Sequence, residues 1–182
     1  LTDLLFVDVE TTGTDYEKCR ILQVALILTD YDGRETNRLQ LNVLPRPPFM
    51  VDPSALRVNG IDLRTHTGVD EVDTVIAINK FLEDNHVVRC NLAGWNASFD
   101  YMFLMELCKR NGGVGVLIRE RISYSLLDVK SIAAVFDEHY YPGNLADTCE
   151  KHGIELVDAH TAMADIEATL KLYRKLRRKV QL

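Results

Sequence analysis

The chain has 182 residues, 47% of them hydrophobic and 26% charged, enough for one domain with a substantial core and too little for two large ones. Its apolar runs fall far short of the ~20 residues of a membrane span, and the opening Leu1-Thr-Asp3 lacks the basic region of a signal peptide, so an intracellular, cytoplasmic protein with no membrane partner is expected. A net charge of −6 argues against gripping nucleic acid by bulk positive charge, but clustered acids neutralised locally by divalent cations are compatible with it. Cys19, Cys90, Cys108 and Cys149 form no close pair of the metal-ligand type, and reduced thiols are expected.

In chain order, Leu4 to Val9 reads as a central strand, nearly all apolar. Ile21 to Thr29 is a second strand, Asp30-Tyr-Asp-Gly33 a turn, and Leu39 to Leu44 a third strand that Pro45-Arg-Pro-Pro48 ends. Asp52 caps a short helix with Pro53 at its first position. Val72, Val75, Ile76, Phe81 and Leu82 have roughly helical spacing, and Val87 to Ala93 is a fourth strand. Ser98 to Arg110 is a helix stopped by Asn111-Gly112-Gly113, and Ile122 to Leu127 a fifth strand. Short helices over 129–136 and 145–151 precede a long one from about Thr161 to Lys179, and no internal repeat or long linker interrupts the chain. The pattern predicts an α/β fold in a single domain over 1–182: a mixed five-stranded sheet, its first three strands an antiparallel meander, with helices on both faces.

Asp8 and Glu10 lie two apart on the first strand, so both carboxylates share a face of an otherwise apolar segment. Buried ionised acids need a partner or a metal; the competing reading puts Glu10 past the strand end with both acids solvated. Asp100 shares a helical stripe with Phe103, Leu104 and Leu107 and so faces inward, unless it only complements the helix dipole. Asp165 shares a stripe with Ala168, Thr169 and Leu172, and His160 sits just before that helix, where it either swings over a site or caps the surface. Together these five residues are the groups a two-metal phosphodiester hydrolysis needs. Carboxylates hold Mg²⁺, paired metals stabilise the attacking and leaving oxygens, and a neutral His takes a proton from water.

Three motifs occur in order: Phe6-Val-Asp-Val-Glu-Thr-Thr-Gly13, Trp95-Asn-Ala-Ser-Phe-Asp-Tyr-Met-Phe-Leu104 and Ala159-His-Thr-Ala-Met-Ala-Asp165. With them the chain, over almost its whole length, resembles the DEDDh 3′–5′ exonucleases of the ribonuclease-H-like fold. The resemblance implies two divalent ions, Mg²⁺ or Mn²⁺. Asp8 would contact both, Glu10 and Asp165 would hold the ion that activates water, and Asp100 would support the second. Glu10 would also touch the terminal 3′-hydroxyl, and His160 would be the general base. The backbone of Thr11, Thr12 and Gly13 would meet the terminal nucleotide, the competing reading being a polar turn leaving the strand, and Asn59, Gly60 and Ile61 belong to a segment similar to one lying near that nucleotide in the family.

Asn96 is expected to orient Asp100 or a phosphate, or else to be a turn residue. Trp95 stands where many members carry His; packing behind the site is favoured over stacking on a base. Asp128 follows the fifth strand, and capping of its own helix is favoured over an outer role at the site. The basic run Arg174-Lys-Leu-Arg-Arg-Lys179 is read as a solvated helix end whose charges suit the dipole rather than as a guide for the phosphate backbone. The expected partner is a single-stranded or frayed 3′ end of DNA or RNA, with a homodimer or a polymerase partner left open. Two rivals stand beside this reading: a catalytically weak nucleic-acid-binding or adaptor domain of the same fold, and an unrelated α/β protein whose acids are surface charges.

Overall fold

A computed structural model describes residues 3–137, 143–157 and 160–180. Six strands form one mixed sheet in the order β4-β3-β2-β1-β5-β6. The apolar runs become β1 (Asp3–Thr11), β2 (Ile21–Thr29) and β3 (Glu35–Leu44), paired antiparallel as a meander. β5 (Cys90–Gly94) lies parallel to β1, and β6 (Ile122–Asp128) parallel to β5. The sixth strand corrects the expected five. β4 (Val69–Asp70) has two residues, too few for any sequence period, and pairs parallel with the end of β3. Gly68 allows that approach, because a Cβ there would lie 2.2 Å from the Asn42 carbonyl oxygen.

Both faces of the sheet are covered, as strands apolar on both sides require. On one face α2 (Glu71–Asp84), α3 (Ala97–Arg110) and the short α4 (Val116–Arg121) bury Ile78, Leu82, Phe103, Leu104, Leu107 and Ile118 against Leu5, Val7 and Leu26. On the other, α5 (Val129–Phe136) and the 19-residue α7 (Ala162–Val180) bury Val129, Ile166, Leu170 and Leu176 against Leu4, Phe6 and Ile27. Here α6 (Leu145–Lys151) packs Leu145 and Cys149 on Ala168.

Local signals behave as their chemistry dictates. Asp52 caps α1 (Pro53–Asn59) by accepting from Ser54 N–H, and Gly60 closes it with φ 69°. All four cysteines are buried and free. The basic run at the end of α7 is not simply the solvated helix end expected: Arg174 Nε donates to the Gly33 carbonyl at 2.5 Å, and Arg177 pairs with Asp32 and lies over the Tyr31 ring, tying the run to the β2–β3 turn. Some elements differ from expectation: β3 starts at Glu35, four residues before the expected Leu39, and α4 was not expected. β5 starts at Cys90 because Val87 N–H closes the end of α2 on Leu82 and Val88 is exposed. α4 follows a glycine-rich turn too short to signal a helix.

Candidate active site

The position of the site follows from strand lengths. β5 pairs with β1 only from Asp3 to Phe6 and then turns into α3, so the last residues of β1 outrun their neighbour. Val9 N–H points into the gap, where a backbone donor cannot stay unpaired cheaply. The Asp100 carboxylate from the first turn of α3 accepts it at 2.9 Å. That bond draws Asp100, 2% exposed, in beside β1. The inward orientation read from its apolar stripe is therefore correct, and its first-turn position also suits the helix dipole.

On the opposite face of β1, Asp8 and Glu10 project toward α7, which delivers Asp165 from its first turn. Carboxylate oxygens of Asp8, Glu10 and Asp165 lie within 4.8 Å of one another. The fourth acid, Asp100, stands outside that group but close enough to Asp8 for their charges to repel. Burial raises the proton affinity of all four. It lifts Asp8 well above the usual range, helped by the charges of Asp100, Glu10 and Asp165. It lifts Glu10 to about 7, with Asp165 adding and the Asn59 side chain opposing. Asp100 rises by burial against the Val9 hydrogen bond. Asp165 rises by burial against the backbone N–H and the side chain of His160.

The chain treats another buried acid differently. Glu71, 2% exposed, sits between the guanidinium groups of Arg20 and Arg110, at 3.7 and 3.5 Å. Among the described residues no lysine or arginine forms an ion pair with Asp8, Glu10, Asp100 or Asp165. An all-oxygen donor set with this unbalanced charge fits hard divalent cations.

The remaining predicted residues are placed as follows. His160 is exposed at the mouth, with backbone φ 71°, and donates its N–H to Asp165 Oδ1 at 3.3 Å. Thr11, Thr12 and Gly13 are buried, and their polar groups largely serve the loop itself. Thr11 Oγ1 donates to the Gly13 carbonyl and Thr12 Oγ1 to the Met50 carbonyl, while Thr12 N–H reaches Arg20 and Asp52 N–H donates to the Thr12 carbonyl. Asn59 joins the groups: its Nδ2 donates to the Thr11 carbonyl at 3.1 Å, its Oδ1 accepts from Ile61, and its side chain reaches Glu10. Gly60 is exposed and Ile61 half-buried beside it. Asn96 is exposed with φ 63° and engages Asp128 through its backbone N–H. Trp95 is half-buried against two apolar clusters, in keeping with packing. Asp158 and Ala159, on either side of the third motif's start, lie outside the described residues.

Two contacts were missed. Asp128 stands at the N-cap position of α5, as expected, and its Oδ2 accepts from the Ser131 hydroxyl in the first turn at 2.6 Å, though from no backbone N–H of that helix. Its Oδ1 accepts from Asn96 and Ala97 N–H, at 2.8 and 3.4 Å, and so caps α3, whose local cap residue Asn96 makes no such bond. Gln23 in β2 accepts from Ala162 N–H, the first residue of α7, at 2.8 Å. Its signal was present: it is the one polar side chain in Ile21-Leu-Gln-Val-Ala-Leu-Ile-Leu28.

A ribonuclease-H-like sheet carrying converging acids at the end of its central strand defines a nuclease. The RNase T family model, described as an exonuclease, matches residues 5–173, and the chain belongs to this family of DEDDh 3′–5′ exonucleases. It is 25% identical to ribonuclease T of Haemophilus influenzae, over 93% of this chain and 76% of that one. It is 29% identical to ribonuclease T of Shewanella frigidimarina, over 92% and 78%. Among solved structures, E. coli exonuclease I in complex with a dT13 oligonucleotide superposes with TM-score 0.81 at 22% identity, covering 100% of this chain and 43% of that one. Exonuclease I of Methylocaldum szegediense does so with TM-score 0.81 at 23%, covering 98% and 41%. The chain thus spans about two fifths of those exonuclease I chains.

Proposed function

We propose that this exonuclease removes nucleotides from the 3′ end of a single-stranded or frayed DNA or RNA by a two-metal mechanism, within one domain over 1–182. The observation that carries the reading is the unpaired cluster of Asp8, Glu10 and Asp165, with Asp100 beside it. Two ions, Mg²⁺ or Mn²⁺, would offset the burial and the mutual repulsion that raise the proton affinity of this cluster and would supply Lewis acidity at the scissile phosphate. Asp8 faces both neighbouring groups of acids and is assigned to both ions, Glu10 and Asp165 to the one that polarises the water, and Asp100 to the other. A zinc-bound form of E. coli exonuclease I with single-stranded DNA is consistent with a divalent ion in this fold.

His160 is assigned as general base. Its backbone is held against Asp165 and the residue is exposed, so its ring would be open to solvent and to an arriving strand end. A neutral imidazole can accept the proton of an attacking water. The Thr11–Gly13 backbone, Asn59, Gly60, Ile61 and Asn96 are assigned to the strand end, with Asn59 also holding Glu10 and the loop in register. The test uses 5′-labelled single-stranded DNA and RNA with Mg²⁺, Mn²⁺ or EDTA, beside His160→Ala. The expected result is a ladder shortening from the 3′ end, abolished by EDTA, and slowed in the variant by about a hundredfold or more. Intact strands with a folded, metal-loaded protein refute the proposal.

A further inference from the structure

We infer that Gln23 is a positioning residue that sets the seat of α7 on the sheet, and through it where Asp165 and His160 meet Asp8 and Glu10. This rests on the site assigned above. Glu10, Gln23 and Asn42 lie directly opposite one another on β1, β2 and β3. Cross-strand partners share a face, so the three form a row beneath the start of α7. Within the row, Gln23 Nε2 donates to Asn42 Oδ1 at 3.0 Å and Oε1 accepts from Ala162 N–H at 2.8 Å. The donor bond orients the amide, so its oxygen is the end turned to the helix.

A free N–H at a helix start needs an acceptor, ordinarily a side chain one to three residues earlier in the chain. Thr161 supplies such a local cap, its Oγ1 accepting from Ala164 N–H at 3.4 Å, but the acceptor for Ala162 N–H stands 139 positions away, on the sheet itself. It therefore does more than satisfy a donor: it fixes the first turn of α7 to the strand next to the one that carries the acids. From Ala162 the turn transmits this position. Asp165 N–H donates to the Thr161 carbonyl at 3.0 Å, and Asp165 Oδ1 accepts from His160 N–H at 3.3 Å. A helix cap is commonly a carboxylate, but one here would add a further negative charge directly across from Glu10. The carboxamide caps without charge.

The test compares Gln23→Ala and Gln23→Glu with the parent chain in three readouts. Amide exchange should quicken about fivefold in the first turn of α7 in Gln23→Ala, the effect of losing a helix cap, with the core of the sheet unchanged. The Mn²⁺ midpoint for thermal stabilisation, read without substrate, should rise several-fold. On a labelled strand kcat should fall with KM nearly constant. Gln23→Glu accepts the same N–H and should restore slow exchange. Parental exchange or a parental Mn²⁺ midpoint in Gln23→Ala overturns the inference. So does quickened exchange throughout the sheet that Gln23→Glu does not repair, because Gln23 is then an ordinary packing residue. An inactive parent chain bears on the proposed function, while the exchange and Mn²⁺ readouts still decide the role of Gln23.

Discussion

Replacing Glu10 by Gln should make the metal-free protein more stable at neutral pH while removing activity. The fold lifts this carboxyl from its ordinary 4.5 to about 7. A raised carboxyl contributes stability that is fully present below the unfolded value and lost as pH rises toward the folded one. The shift of 2.5 units corresponds to about 3 kcal/mol at 1.36 kcal/mol per unit as a ceiling. Glu10 is half-buried, and screening and relaxation reduce the expected gain to roughly 1–2 kcal/mol. Gln keeps the side-chain shape and can still meet Asn59 without the charge. For a domain of this size the gain is a rise in Tm of about 3–6 °C. Thermal unfolding in EDTA reads it directly: equal melting near pH 4.5, and a widening advantage for the variant until about pH 7. Saturating Mn²⁺ should reverse the order, because it stabilises the parent chain by mass action. A variant no more stable than the parent above pH 7, or one equally more stable at both ends of the window, refutes the account of the cluster as electrostatically strained.

Other consequences follow from the same geometry. Below about pH 7 protons compete with metal at Glu10, so the Mn²⁺ midpoint from titration of thermal stability should rise toward acid pH by up to about tenfold per unit. Asp165→Ala should abolish cleavage with the far-ultraviolet circular dichroism retained, since α7 is held by Ile166, Leu170 and Leu176 in the core; wild-type turnover in this variant would remove Asp165 from the site. Asp128→Ala should cost about 1 kcal/mol of stability through the lost cap of α3 and lower kcat more than that loss of folded protein explains, measured by denaturant unfolding beside single-turnover cleavage.

The site acids were legible because each sits on a periodic element. Alternation along β1 put Asp8 and Glu10 on one face, and the stripes of α3 and α7 turned Asp100 and Asp165 inward. The meander and the long helices were legible for the same reason. β4 has two residues and α4 follows a run of glycines, so neither carries a period to read. Asp128 was legible only in part: its place before α5 shows the local cap position, whereas the backbone donors it serves lie 31 and 32 residues earlier. Thr11 and Thr12 advertised polar groups whose partners, Gly13 and Met50, become apparent only once the loop is folded. Propensity reports on neighbours in sequence, and these contacts are set by tertiary packing.

The contrast between the two groups of buried acids bears on the order of binding. Glu71 is balanced by Arg20 and Arg110, so its charge is compensated whatever is bound. Asp8, Glu10, Asp100 and Asp165 have no such partner among the described residues, and burial, with repulsion between acids added at Asp8, Glu10 and Asp100, raises their proton affinities. Under the proposed function a nucleic-acid strand would not supply the missing balance, because each phosphate would bring another negative charge to the same acids. On that proposal cations would enter with or before the strand, and each should bind more tightly in the presence of the other. The negative charge of the whole chain is then no obstacle to its substrate: attraction of phosphate is assigned to ions that the acid cluster recruits, and it operates at the strand end where hydrolysis occurs.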